Sequence, residues 1–421
     1  MKNKLEKNDS FLQDSNKHSI INFSIYYFVK NNKKKEHPSR FKEKFCFFSK
    51  KKIKNNLIWF HGASVGEILS VIPLIEKFEK DKNIHQILIT SNTLSSSKII
   101  SNLGLKKTIH QFFPIDSAYF SKKFLEYWRP KIAIFIDSEI WPNMILDIKK
   151  KKIPLILLNG RINKKSFRKW KKINQTAQFL FSKFDICYPS SKESNIHLKS
   201  LGIKKNKYLG NLKFSQTEKE ENQISIKQKK FFRSKNIWCA SSTHNSEEIL
   251  IGIAHKKLKK KYKNLITIII PRHIERTTVI INQLEELNLN VHCHSYGDQI
   301  KKNTDIYLVD AYGKTKSFYR ICKIVFLGGS IIRHGGQNPL EPAKYGCKIL
   351  HGPHVWNFGE IYQLLKEYNV SSKVNNIDQL IKQTNKDFNK KGNSLKIKTK
   401  IKSIGDKILN STFKEIKSFI K

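Results

Sequence analysis

The chain has 421 residues, of which 39% are hydrophobic and 27% charged, and its 80 Lys and Arg against 34 Asp and Glu give a formal net charge of +46. That length suits two domains with separate cores, and the composition excludes a disordered, fibrous or membrane-integral chain. A field of that sign attracts phosphorylated lipids and nucleotides, although Lys, Ile and Asn enriched together also mark AT-rich coding DNA and solvated faces. Nucleic acid is set aside as a partner, because no basic stripe with interleaved aromatics forms a known module.

The first notable segment is Ile20 to Val29, which ends in Tyr26, Tyr27 and Phe28 before Lys30, Lys33, Lys34 and Lys35. It reads equally as an interfacial membrane anchor or as an ordinary amphipathic element, and it is too short to span a bilayer. Acidic residues ahead of it argue against a cleaved signal peptide. The six cysteines, Cys46, Cys187, Cys239, Cys293, Cys322 and Cys347, show no CxxC pair, so neither a disulfide framework nor a metal site is expected and a reducing cytoplasm fits.

Strands are predicted at Leu57 to Phe60, Gln86 to Thr90, Lys131 to Ile136 and Ile153 to Leu158, with helical patterns between them. After a polar run from Ser215 to Lys230, the pattern restarts at Ile237 to Ala240, Leu265 to Ile270, Val291 to His294, Ile306 to Val309, Ile324 to Leu327 and Lys348 to His351. Strands alternating with helices predict parallel, doubly wound α/β sheets. The tail from Asn375 predicts one or two surface helices. Ligands of such sheets lie beyond the carboxyl ends of the strands, so the loops that follow strands carry the candidate chemistry.

The first such loop, His61-Gly62-Ala63-Ser64-Val65-Gly66-Glu67, sets a carboxylate at the start of a helix, where it can accept a proton from a hydroxyl or simply complement the helix dipole. Asp137-Ser138-Glu139-Ile140-Trp141-Pro142-Asn143 offers two carboxylates suited to stabilising positive charge at an anomeric carbon; alternatively, Asp137 caps the next helix and Trp141 is core. Asn159-Gly160-Arg161 and Gly210-Asn211-Leu212-Lys213 each place a cation after a Gly turn. Pro271-Arg272-His273 sets a guanidinium where a phosphate would lie. Gly328-Gly329-Ser330 and Gly335-Gly336-Gln337-Asn338-Pro339-Leu340-Glu341 bring backbone amides toward an anion, or form turns that pack a helix on the sheet.

These segments, together with HPSRFKEKF, SNTLSSS, FPID, NGRINKKS, ASSTHNSEE, PRHIER and GPHVWNF, run in one order from about His37 to about Leu365. In that order the chain resembles the Kdo transferases, which build the inner core of lipopolysaccharide. The resemblance implies a GT-B fold of two Rossmann-like domains facing across a cleft. It implies an inverting transfer of Kdo from CMP-Kdo to the lipid A precursor, lipid IVA, without a metal or other cofactor. The implied division is a membrane-associating basic segment (1–54), an acceptor domain (55–215), a linker (216–234), a CMP-Kdo domain (235–385) and a helical tail (386–421). Glu67 stands at the family's general-base position, and Glu139 and Lys213 at its transition-state-stabilising positions. CMP contacts carry over to Pro271, Arg272, Tyr312, Gly313, Lys314, Asn338, Pro339, Leu340 and Glu341. The expected partners are CMP-Kdo, the lipid A precursor and an anionic membrane surface, at the cytoplasmic face of the bacterial inner membrane. Three positions depart from the family pattern: Lys314 replaces an acidic residue, Gln337 replaces a His, and the N-terminal apolar segment is short.

Overall fold

The computed structural model describes residues 36–53, 56–216, 224–390 and 393–420, so the Ile20 to Val29 segment lies outside the described residues. The chain divides into two compact units, residues 1–216 with 405–421 and residues 217–404. Each is a parallel α/β sheet wrapped by helices, the doubly wound Rossmann-like architecture of GT-B enzymes.

In the first unit the strands are β1 (Leu57–His61), β2 (Gln86–Ser91), β3 (Thr108–Phe112), β4 (Ile132–Ile136), β5 (Leu155–Gly160) and β6 (Ile186–Pro189), in the order β3-β2-β1-β4-β5-β6. Every residue of β1, β2, β4 and β5 is buried, which is why these strands read as unbroken apolar runs. Trp59 sits opposite Leu88 on β2 and Ala133 on β4, and its ring packs on Phe124 (4.9 Å) and Phe135 (5.3 Å). Burying side chains of this size contributes about 1.5–3 kcal/mol each. The chain reverses direction across the sheet between β1 and β4, so the loops after these two strands flank the switch point where such sheets hold ligands.

The second unit contains β7 (Asn236–Thr243), β8 (Leu265–Pro271), β9 (Val291–Cys293), β10 (Ile306–Leu308), β11 (Ile324–Leu327), β12 (Lys348–His351) and β13 (Ser371–Lys373), ordered β13-β12-β11-β7-β8-β10-β9. Its switch point lies between β7 and β11.

Strands β3, β6 and β13 were not foreseen. β3 carries His110 and Gln111 inward, and its edge is held by the HPSRFKEKF segment: Arg40 bonds Glu43 (2.8 Å) and the His110 carbonyl (2.9 Å), and Glu43 accepts from the Phe112 amide (2.9 Å). The polar stretch read as linker contains a helix, Ile226–Arg233, opened by a capping box between Ser225 and Gln228 and anchored by buried Phe232. The tail forms two helices, Ile377–Phe388 and Asn393–Lys417. Neither is merely a surface helix, since Leu380, Ile397, Ile401, Ile408 and Ile416 are buried.

Candidate active site

The loop after β1 enters the helix Val65–Glu79 through a capping box. The Glu67 amide donates to the Ser64 hydroxyl, and the Glu67 carboxylate reaches back to accept from the Ala63 amide (2.7 Å) and the Ser64 hydroxyl (2.7 Å). The two readings of Glu67 are thus compatible: it caps its helix and presents a half-buried carboxyl at the switch point. Burial raises its pKa above the ordinary carboxylate value. The Ser64 hydrogen bond opposes this, and the neighbouring charges of Glu139 and Asp137 add to it. A Cβ at Gly62 would stand 3.2 Å from that of Glu67, whereas one at Gly66 would meet nothing within 4 Å, so the loop is tight beneath the carboxylate and open beside it.

Asp137 follows β4 in a left-handed conformation (φ 63°) and is nearly buried; burial raises its pKa, and the charges of Lys213 and Arg161 oppose that rise. It does not cap the next helix, Pro142–Lys150. That role falls to Asp116 of the FPID segment, whose carboxylate accepts from the amides of Asn143 (3.2 Å) and Met144 (2.8 Å). Glu139 accepts from Trp141 Nε1 (2.8 Å) and has His61 Nε2 at 3.2 Å from the same oxygen, Oε2. Trp141 is partly buried against the core, so the reading of it as a core residue also holds in part.

Lys213 lies in a 3-10 turn, Leu212–Ser215, whose amides are fixed by side chains: the Leu212 amide donates to Asn159 (3.1 Å) and the Lys213 amide to Asn211 (3.0 Å). Buried Leu212 and Phe214 root the turn, and Gly405 passes so close that a Cβ there would come within 2.5 Å of the Phe214 carbonyl. The first unit therefore brings Glu67, Asp137, Glu139 and Lys213 into one electrostatic group. Sequence reasoning missed His61 as part of it, and only its place at the end of β1 hinted at a role.

In the second unit Pro271 ends β8 and Arg272 stands exposed beyond it, its amide bonded to the Thr243 carbonyl (3.0 Å). Tyr312 is 64% exposed and donates to Glu275 (2.8 Å), within the field of Arg272. Gly313 has φ 77°, and Lys314 immediately precedes the short helix Thr315–Tyr319. Asn338 is exposed and accepts from the Leu340 amide (3.1 Å), Pro339 caps the turn, Leu340 is buried, and Glu341 is half-buried. His244 joins these loops: its ring lies tilted against His334 (4.0 Å) and edge-on to His273 (5.9 Å), and Gln337 Nε2 lies 3.4 Å from its Nε2. Burial, with the cations around it, pushes His244 down to about 4.

Contrary to the expectation of an open anion cradle, the amides of Gly329, Ser330 and Ile331 are not open to a phosphate. They donate to the buried carboxylate of Glu247 (2.7, 3.3 and 3.3 Å), which also accepts from the His244 amide (3.0 Å). The turn after β11 is thus bound to the loop after β7. Among the described residues, no group of three or more His, Cys, Asp or Glu side chains is placed to hold a metal ion.

Residues 39–216 match the family model of 3-deoxy-D-manno-octulosonic-acid transferase. The chain is 30% identical over 322 residues to the 3-deoxy-D-manno-octulosonic acid transferase of Haemophilus influenzae, covering 76% of this chain and 75% of that one. It is 35% identical over 322 residues to the enzyme of the same name from Rickettsia bellii, covering 76% and 77%. The chain belongs to the Kdo transferase family. It is a glycosyltransferase that transfers Kdo. Its fold is shared more widely: the UDP-GlcNAc 2-epimerase of Neisseria meningitidis superposes with a TM-score of 0.53 over 85% of this chain and all of that one, at 14% identity. No helix among the described residues of this Kdo transferase is long and apolar enough to cross a membrane.

Proposed function

We propose that this Kdo transferase takes Kdo from CMP-Kdo and places it on lipid IVA, the lipid A precursor, with Glu67 as general base. The observation that carries the reading is the place of the Glu67 carboxyl, half-buried on the open side of a switch-point loop beside Glu139 and Asp137, where burial raises its pKa. A carboxylate so raised is the better base near neutral pH. It takes the proton of an acceptor hydroxyl as the oxygen bonds the anomeric carbon of Kdo. The bond from that carbon to the CMP phosphate oxygen breaks, its electron pair leaves with CMP, and the configuration inverts. Glu139 offsets positive charge developing on the sugar, and the Lys213 ammonium offsets the negative charge of the Kdo carboxylate and of the leaving phosphate.

The donor role falls to the second unit, at Pro271, Arg272, Tyr312, Gly313, Lys314, Asn338, Pro339, Leu340 and Glu341. Exposed Arg272 supports a phosphate contact. Lys314 adds a cation beside the phosphate. The reaction would take place at an anionic membrane surface, the inner membrane's cytoplasmic face. In support, the helix Lys164–Lys172 has no buried residue and carries Lys164, Lys165, Arg168, Lys169, Lys171 and Lys172. The test is to mix the full chain with CMP-Kdo and the tetra-acylated precursor, following CMP release and product mass. Acceptor-dependent release with a gain of one or more Kdo masses supports the reading. Folded protein that releases no CMP, but is protected against unfolding by a UDP-sugar, refutes it.

A further inference from the structure

At the switch point of the first unit, a side chain outside the proposed set of reacting groups is built into the site. His61 is fully buried at the end of β1, its ring stacked on Phe113 at 3.8 Å. Residues 59 and 61 share one face of the strand, and both reach Thr90 on β2: Trp59 Nε1 donates to the Thr90 hydroxyl (2.9 Å), and His61 Nδ1 lies 2.9 Å from the same oxygen. An indole N–H can only donate, so the Thr90 oxygen accepts from Trp59, and its own proton has two acceptors in reach, the Phe60 carbonyl at 3.5 Å and the much nearer His61 Nδ1 at 2.9 Å, which it favours. The proton of the imidazole then sits on Nε2, which faces Glu139 Oε2 at 3.2 Å, a contact short of hydrogen-bond geometry, and has no hydrogen-bond partner among the described residues. The opposite tautomer would turn a lone pair toward a carboxylate. Burial lowers the pKa of His61 against the pull of Glu139, which keeps the ring neutral.

We infer that His61 and Trp141 are positioning residues for Glu139: the Trp141 N–H donates to Oε2 and His61 Nε2 faces the same oxygen at 3.2 Å, fixing the carboxylate plane so that Oε1 alone is presented to the sugar. This rests on the reading of Glu139 as a transition-state stabiliser. The arrangement costs little flexibility at the moment of reaction, because Thr90 and Phe113 fix the imidazole before any substrate arrives. A carboxylate held by one donor would rotate, and misplacement by about 1 Å costs up to roughly a hundredfold in rate.

The experiment compares His61→Ala, His61→Gln, Trp141→Phe, Glu139→Gln and the double variant His61→Ala with Glu139→Gln in the full chain, measuring kcat and KM for CMP-Kdo and for the lipid acceptor. Positioning predicts that His61→Ala and Trp141→Phe each lower kcat by about ten- to a hundredfold with KM changed less than about threefold. His61→Gln, whose amide can donate to the same oxygen, recovers most of that loss. The double variant turns over no more slowly than Glu139→Gln alone, since both changes act through one group. Trp141→Phe keeps an aromatic ring at a partly exposed site and remains informative if His61→Ala does not fold. Normal kcat in Trp141→Phe together with normal kcat in folded His61→Ala overturns the inference, as does additive loss in the double variant. Normal turnover in Glu139→Gln would instead overturn the role of Glu139 itself.

Discussion

Replacing Glu67 separates two jobs that one side chain performs. In Glu67→Gln the capping box survives: the Gln oxygen accepts from the Ala63 amide, and the Gln amide donates to the Ser64 hydroxyl, which still accepts from the backbone at position 67. Glu67→Ala loses the reciprocal half of the box, at about 1 kcal/mol, which moves the melting midpoint of a unit of this size by about 2–4 °C. The charge has its own sign. A carboxyl whose folded pKa is raised contributes stability that is complete below its unfolded pKa and is lost as pH rises through the folded one. Glu67→Gln should therefore match the natural chain in stability at acid pH and exceed it near neutral pH. Turnover should fall by about 10²–10⁴ in both variants, the contribution of a positioned base. The assay pairs CMP release with thermal unfolding across the pH range. Turnover of Glu67→Gln within about threefold of normal would remove the base from the mechanism. Equal stability of Gln and Ala variants would refute the capping argument.

Gly405→Ala should destabilise the first unit and slow turnover by about tenfold or more, although alanine in a helix interior ordinarily gains about 1 kcal/mol over glycine, because the new Cβ presses on the carbonyl beside Lys213; unfolding midpoints and kcat read both effects. Glu247→Gln should lower stability by about 2 kcal/mol in denaturant titrations, since its amide group faces backbone N–H donors that now have a carboxylate. Asp305 is buried, which alone would raise its pKa, but hydrogen bonds from His255 and Lys259 outweigh burial and hold its carboxyl well below the usual range. A depressed carboxyl contributes stability present above its unfolded pKa and lost as pH falls through the folded one. Asp305→Asn should therefore unfold at lower temperature than the natural chain at neutral pH, with the difference shrinking in strong acid.

The strands most legible from sequence were those buried on both faces, since a parallel sheet covered by helices demands unbroken runs such as Leu57 to Phe60 and Leu155 to Leu158. β3 escaped because His110 and Gln111 interrupt its apolar run. His110 is accommodated only through distant partners, Arg40 and Ser91, that no local window contains. The helix Ile226–Arg233 was legible in its Ser225 and Gln228 cap but was hidden by surrounding lysines. At the candidate site, residue types and their places after strands offered Glu67, Glu139 and Lys213 among other readings, and only the resemblance to the Kdo transferases gave them roles. What remained hidden was which donors are already taken. Gly329 and Ser330 read as an open anion cradle because glycine and serine at a strand end permit one, yet Glu247, eighty residues earlier in the chain, occupies it. His61 was hidden for the same reason: its partner Thr90 becomes its neighbour only through the register of β1 on β2.

Three carboxyl groups near one point repel one another, and a site that needs one to accept a proton and another to remain a fixed negative charge must treat them differently. The surroundings here do so. Glu139 accepts from Trp141 Nε1 and has His61 Nε2 at 3.2 Å. Asp137 faces the cations Lys213 and Arg161, which compensate a charge that burial disfavours. Burial raises the proton affinity of Glu67, and the charges of the other two acids push it further upward against the hydrogen bonds from Ser64 and Ala63. The asymmetry follows from position: Glu139 and Asp137 come from the loop after β4, where side chains from β1 and the Lys213 turn converge, while Glu67 stands one turn into its helix. Neutralising Asp137 as Asn should lower the Glu67 pKa and shift the acid limb of the pH–rate profile to lower pH. An unmoved limb in a folded Asp137→Asn variant would break the electrostatic link between the two loops.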